Sequence, residues 1–245
     1  MPMTVKLIDL KNAKSVSDFS ALWIICFPED DVKYIKDYIN RRLIYNNAMC
    51  FGIYEGDLLV SMLSIIPEQT YCDNMTRQVN SGFIVGVGTH TAYRGKGYSR
   101  RLMEYAIQYI EQQTDICVLQ LSTEIPEFYV KMGFSSYSQQ NGNDQIISTD
   151  DTGVIIVKPE AVTYEIAQKL LSCYERTAKD GYFKKCIGKI MEMVYYCDEI
   201  IIKVSDDGKY EACRFVDYSF ENMSTVQMMR NIKGEYIFTG NPENY

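Results

Sequence analysis

The sequence predicts a mixed α/β protein, an α+β arrangement of sheet and helices with a second, partial unit following the first. Three observations carry this. β-rich runs alternate with helical patterns, and a glycine-rich basic turn joins a strand to an amphipathic helix between residues 83 and 110. An opening order of strand, helix, helix and hairpin also returns about 150 residues later. The length of 245 residues suits one large domain or two modest ones. The repetition favours two, residues 1–147 and 148–245.

Val5 to Leu10 alternates apolar and polar residues and reads as a first strand. Ser15 or Ser17 can then cap a helix carrying Phe19, Leu22, Trp23 and Cys26, which Pro28 ends. Asp30 and Asp31 open a second helix with Val32, Ile35, Tyr38 and Ile39 on one side, the acids lying at the positive end of its dipole. Met49–Tyr54 and Leu58–Ile66 flank Glu55-Gly56-Asp57 as a hairpin. Phe83 to Thr89 is an apolar strand interrupted by Gly86 and Gly88, a pattern expected where something approaches the backbone closely.

From Tyr98 onward Leu102, Met103, Ala106, Ile107 and Ile110 share one helix face, with Arg100, Arg101, Glu104, Gln108 and Glu111 opposite. A buried strand at Ile116–Leu121 and a short helix at Pro126–Lys131, stopped by Gly133, follow. Asn141 to Asp144 is a polar turn. The second unit reads as a strand at Val154–Val157, helices at Val162–Tyr174 and Tyr182–Tyr195, and a hairpin of Ile200–Val204 and Tyr210–Val216 around Asp206-Asp207-Gly208. It ends without a glycine-rich turn.

Apolar residues make up 47% of the chain with charges interspersed, so folded structure is expected nearly throughout. The start of the chain lacks a basic segment followed by an apolar stretch, and no apolar run reaches the ~20 residues that span a bilayer, so a cytoplasmic protein without membrane attachment is expected. The eight cysteines form no CxxC pair, and several lie in apolar runs, which reads as reduced core thiols. The formal charge of −7 disfavours nucleic acid and anionic lipid and favours a cationic partner. His90, the only histidine, has no clustered cysteine or carboxylate partners, so no metal site is expected. Its place before the turn suits a structural hydrogen bond.

The chemistry is concentrated in Arg94-Gly95-Lys96-Gly97-Tyr98-Ser99. A helix start offers unpaired N–H groups and the positive end of a dipole, glycines admit a ligand to the backbone, and Arg94 and Lys96 add charge. That combination suits a pyrophosphate. Arg100 stands where a GxGxxG would need its third glycine, and no Ser or Thr follows a Gly-Lys pair, which makes nicotinamide dinucleotides and nucleoside triphosphates poor candidates.

This hexapeptide resembles the acyl-CoA-binding motif of the GNAT superfamily: Arg or Gln, two residues, Gly, one residue, then Gly or Ala, with Ser99 as the departure. Phe128-Tyr129 followed by Gly133-Phe134 is similar to the family's second signature, and Leu22-Trp23 with Cys26 to Asp30 to its first-helix segment. The resemblance covers roughly residues 1–147. It is nearest to enhanced-intracellular-survival-type acetyltransferases, which carry a second GNAT-like unit, so residues 148–245 are expected to be a partial, degenerate one.

The resemblance implies a GNAT fold, acetyl-CoA as cofactor, and transfer of its acetyl group to a primary amine by direct attack in a ternary complex. Val87, Gly88 and Thr89 would line the pantetheine arm beside the turn residues Arg94, Gly95, Lys96, Gly97, Tyr98 and Ser99. An N–H near Gly88 would receive the oxyanion, and Tyr129 would protonate the departing thiolate. Many relatives keep a glutamate on the strand matching Phe83–Thr89 and this chain has none, which leaves water, Glu124 or the C-terminal carboxylate of Tyr245 as base. A catalytically inactive acyl-CoA-binding module is the alternative; aminoacyl transfer from transfer RNA suffers from the acidic charge. The acceptor, a small-molecule or peptide amine, is open, as is homo-oligomer formation.

Overall fold

A computed structural model describes residues 3–137, 147, 152–178, 181–218, 225–236 and 238. The expected turn at Asn141–Asp144 and the carboxylate of Tyr245 lie outside them. Strand β1 (Met3–Ile8) leads to helix α1 (Ala13–Cys26). The cap of α1 is Asn12, whose side chain accepts the Ser15 N–H at 3.1 Å, rather than either serine. Asp31 caps helix α2 (Val32–Asp37) by accepting from Tyr34 N–H at 2.7 Å. The helix widens into a π-turn over Tyr38–Ile44, where Tyr45 N–H reaches back five residues to the Asn40 carbonyl.

Strands β2 (Met49–Glu55), β3 (Leu58–Cys72) and β4 (Arg77–Thr89) follow, then helix α3 (Tyr98–Gln113), strand β5 (Val118–Thr123), helix α4 (Pro126–Val130) and strand β6 (Ser135–Ser136). β3 and β4 run further towards their shared turn than the apolar runs suggest, and in the added part of β3 burial alternates, with Pro67 and Gln69 exposed and Glu68, Thr70 and Cys72 buried. Leu59 to Ile66 of β3 are buried without interruption, as expected of a strand covered on both faces. On one face Phe19, Leu22, Trp23, Ile35, Ile39 and Leu43 pack against Cys50, Leu59, Met62 and Ile66. Leu102, Met103, Ala106, Ile107 and Ile110 form the buried face of α3. Burial of each large side chain contributes about 1.5–3 kcal/mol.

After β7 (Val154–Val157) come helices α5 (Tyr164–Thr177) and α6 (Ile187–Tyr196) and strands β8 (Glu199–Val204) and β9 (Tyr210–Val216). The three strands form an antiparallel sheet in the order β7-β8-β9. Helix, helix and hairpin thus follow a first strand here as they do after β1, and β8–β9 steps register near its turn, between Lys203 and Val204, as β2–β3 does between Ile53 and Tyr54. The second helix starts five residues later than its apolar spacing predicts. Tyr182 and Phe183 are extended instead: Tyr182 accepts the Tyr71 N–H at 3.0 Å, and Phe183 bridges Thr70.

A last strand, β10 (Val226–Asn231), is absent from the sequence expectation, and it returns to the large sheet, whose order is β1-β2-β3-β4-β5-β10-β6. The two compact units are therefore interleaved along the chain instead of dividing at 147/148. One comprises Met1–Gln69, Val79–Ser136 and Gln227–Tyr236, the other Thr70–Gln78, Tyr137–Val226 and Ile237–Tyr245. Among the described residues no helix is long and apolar enough to cross a membrane. None of the eight cysteines is in a disulfide, and Cys50, Cys72, Cys173 and Cys213 are buried while Cys186 is exposed.

Candidate functional site

β4 and β5 are parallel neighbours for only three residue pairs, Ser81–Val118, Gly82–Leu119 and Phe83–Gln120. Beyond them the strands part, which leaves the backbone of Ile84–Thr89 without a β5 partner. Two glycines shape this free stretch. Gly86 has φ +61°, and a Cβ there would stand 2.9 Å from the Trp23 ring. A Cβ on Gly88 would stand 2.8 Å from Cys26 Sγ. The close approach that the sequence pattern foretold is thus made by the end of α1, which is seated on β4 at both glycines.

The strand runs into a single 3₁₀ turn, Thr91–Tyr93, capped by His90, whose Nδ1 accepts the Ala92 N–H at 3.2 Å. Gly95 and Gly97 follow with φ +76° and +79°, and a Cβ on either would meet nothing within 4 Å. Backbone conformation selects these glycines, and the space beside them is open. Gly97 caps α3, and the first intrahelical bond is Arg101 N–H to the Gly97 carbonyl at 3.0 Å. The N–H groups of Tyr98, Ser99 and Arg100 lie ahead of that ladder. Beside them Lys96 Nζ sits 4.8 Å from the Tyr93 ring centre, and Arg94 Nε donates to the Thr89 carbonyl at 3.2 Å. The Tyr98 phenol turns away to the Glu55 carboxylate, so Tyr98 offers a ligand its N–H.

The peptide joining Gly88 to Thr89 is trans, so its carbonyl and its N–H point in opposite directions. The Gly88 carbonyl accepts the Ser61 hydroxyl of β3 at 3.1 Å, and His90 N–H donates to Val60 on the same strand at 2.9 Å. Strand alternation then directs Gly88 N–H towards β3 and Thr89 N–H away from it, into the parting. Of the N–H groups near Gly88, the one facing the parting is therefore that of Thr89, with Gly88 supplying the carbonyl half of the same peptide. By the same alternation Val87 faces the parting.

Tyr129 lies on α4, which Pro126 opens and which a left-handed Gly133 (φ +78°) closes. It is 6% exposed, with Phe128 and Phe134 edge-on at 5.0 and 5.9 Å. Burial pushes its phenol up to about 12, while a hydrogen bond with the Thr123 side chain at the end of β5 pulls the other way. Thr123 Oγ1 also accepts the Ile125 N–H at 3.1 Å. The phenol is therefore held protonated beside Thr123 at the end of β5.

Two participants escaped sequence reasoning. Ser61 is drawn to the site by the β3–β4 pairing, a relation across 27 residues that no local pattern reveals. Asp30 accepts the Trp23 indole N–H at 2.7 Å, and the far edge of that ring contacts Gly86. Burial chiefly raises the proton affinity of its carboxyl against the indole bond, and Glu29 and Asp31 add to the rise. Glu124, just past β5, is exposed. Among the described residues no group of three His, Cys, Asp or Glu could hold a metal ion.

The acetyltransferase (GNAT) domain family matches residues 8–137. No curated protein matches by sequence. Among solved structures the chain is similar to a conserved protein of Enterococcus faecalis V583 described as a probable N-acyltransferase (14% identity, TM-score 0.62, 86% of this chain and 54% of that one). It is also similar to a GCN5-related N-acetyltransferase of Anabaena variabilis (14%, TM-score 0.64, 95% and 73%) and to Eis1 of Mycobacterium abscessus (10%, TM-score 0.57, 82% and 51%). The chain spans about half the length of the first and third of these. At such identities the likeness is one of fold.

Proposed function

The chain belongs to the GNAT acetyltransferase family; from that premise we propose that it is an N-acetyltransferase that holds acetyl-CoA across the β4–β5 parting and transfers the acetyl group directly to a primary amine. The observation that carries this reading is the stretch Ile84–Thr89, which has no β5 partner, leading into an open glycine turn with three N–H groups ahead of the α3 ladder. The first suits an extended amide-bearing arm that can pair with a strand edge. The second suits a diphosphate.

In this reading Val87 and Thr89 bind the arm, and Arg94 to Ser99 surround the diphosphate. The neutral amine forms a C–N bond at the thioester carbonyl, and the charge gathering on oxygen is received by Thr89 N–H. The C–S bond then breaks, and Tyr129 gives its proton to the sulfur. Glu124 or water takes the proton from the amine. The shared element order and register step support a second unit that is a degenerate copy of the first.

Calorimetry with CoA, followed by mass spectrometry of a panel of primary amines incubated with acetyl-CoA, tests the proposal. Uptake of CoA and an acetylated product are expected, and no uptake would end it. Arg94→Ala should weaken CoA binding about tenfold, since a charge-assisted contact to phosphate is lost while α3 is left intact.

Asp30 supports a cationic acceptor, because it is partly buried, carries no ion pair among the described residues, and stands beside Trp23, which packs on Gly86 of β4. Asp30→Asn is expected to raise KM for a short aliphatic diamine about fivefold, the weight of a partly solvated ion pair, and to leave KM for acetyl-CoA unchanged. An equal rise in both would assign Asp30 to packing instead.

A further inference from the structure

Three hydroxyl groups connect the cofactor turn to the strand. Ser99 Oγ and Thr89 Oγ1 are 2.6 Å apart, Thr89 Oγ1 and Ser61 Oγ 2.8 Å, and Ser61 Oγ donates to the Gly88 carbonyl at 3.1 Å. Ser61 is fully buried and Thr89 nearly so. A hydroxyl has one hydrogen. Since the hydrogen of Ser61 goes to Gly88, the hydrogen between Ser61 and Thr89 must come from Thr89, and that between Thr89 and Ser99 must come from Ser99. All three contacts can be satisfied together in one direction only: Ser99 to Thr89 to Ser61 to the Gly88 carbonyl.

The endpoint of this chain is the other half of the peptide whose N–H faces the parting. A hydrogen bond on a peptide carbonyl strengthens the N–H across the same plane as a donor, and successive hydrogen bonds reinforce one another. It also fixes the plane's rotation, and so the aim of that N–H. Ser99 meanwhile has spent its hydrogen and presents only lone pairs outward, so it cannot donate to a phosphate without breaking the chain. Its own N–H, ahead of the α3 ladder, remains free for that purpose.

We propose that Ser99, Thr89 and Ser61 form a one-way hydroxyl chain that aims and polarises the Thr89 N–H, making Ser61 and Ser99 positioning residues for the oxyanion donor. The proposal rests on the acetyl-CoA reading above. It accounts for a serine at the last motif position, where alanine would fill the space equally well but start no chain.

The test is isotope-edited infrared spectroscopy of [1-¹³C]acetyl-CoA bound to the full-length protein, which needs no knowledge of the acceptor. In the parent protein the thioester carbonyl stretch is expected to move to lower frequency on binding, and in S61A and S99A most of that movement is lost while CoA affinity is kept. The double variant S61A/S99A should lose no more than the larger single loss, because both break the same chain. Turnover with any accepted amine should fall about three- to tenfold in kcat, with KM for acetyl-CoA steady. Thr89→Ser should retain the frequency shift and Thr89→Val should lose it. Unchanged carbonyl frequency in S61A and S99A, or additive losses in the double variant, would overturn the chain and leave the acetyl-CoA site standing. Failure of the parent protein to bind acetyl-CoA would overturn both.

Discussion

Replacing Tyr129 with Phe is expected to lower kcat about a hundredfold while KM for acetyl-CoA changes little. The benzene ring keeps the contacts with Phe128 and Phe134, so the packing of α4 survives and only the hydroxyl is lost. A positioned general acid contributes about 10²–10⁴ in rate. The pH profile supplies a second check. With its phenol pushed up to about 12, Tyr129 stays protonated through the range in which amines lose their protons. The rate of the parent protein should therefore rise with pH and show no descending limb below about pH 10, where the free phenol would begin to ionise. The folded state holds this proton more tightly than the unfolded chain does, so the associated stability is complete below pH 10 and declines as pH climbs towards 12. A descending limb near neutrality, or an unchanged kcat in the Phe variant, would remove Tyr129 from the reaction.

The second large effect is expected at Gly86. Gly86→Ala places a methyl 2.9 Å from the Trp23 ring, at a backbone φ of +61°. The left-handed conformation costs a non-glycine residue about 1–2 kcal/mol and the overpacking a further 1–3. Trp23 cannot step aside cheaply, since its rim packs on Phe19, Phe27 and Tyr38 and its N–H is committed to Asp30. Chemical denaturation should therefore show a loss of about 2–5 kcal/mol. Activity should fall by more than the residual folded fraction explains, because the strand that holds the cofactor arm is displaced with the ring. A variant as stable as the parent would mean that α1 is not seated on β4 as described. Trp23→Phe combined with Gly86→Ala should recover part of the stability, since the smaller ring frees the space that the methyl needs.

The helix-capping, amphipathic and hairpin patterns of the first 66 residues, and the turn from Arg94 to Ser99, are local, and the sequence displays them. α2, the β2–β3 hairpin and α3 fall where those patterns place them, and α1 begins earlier than its serines suggest, at the Asn12 cap. What the sequence conceals is decided by partners far along the chain. β10 becomes a strand because the side of β5 is vacant, and nothing in Val226–Asn231 announces that neighbour. Tyr182 and Phe183 have helical spacing, yet the chain at Thr70 and Tyr71 draws them into extended pairing. The site divides in the same way. Tyr129 and the glycine turn are visible as motifs, whereas Ser61, the aim of the Thr89 N–H and the Trp23–Asp30 bond arise from pairing and packing. The glycines of β4 were recognised as points of close approach, but the visitor is a helix.

The insertion of β10 beside β5 has a consequence for synthesis on the ribosome. β5 emerges roughly a hundred residues before the strand that will lie along its flank, so its edge N–H and carbonyl groups must wait while the whole β7–β9 sheet is made. An open edge of that kind is where nascent chains stick to one another. The large sheet is thus completed only by a segment made after the β7–β9 sheet.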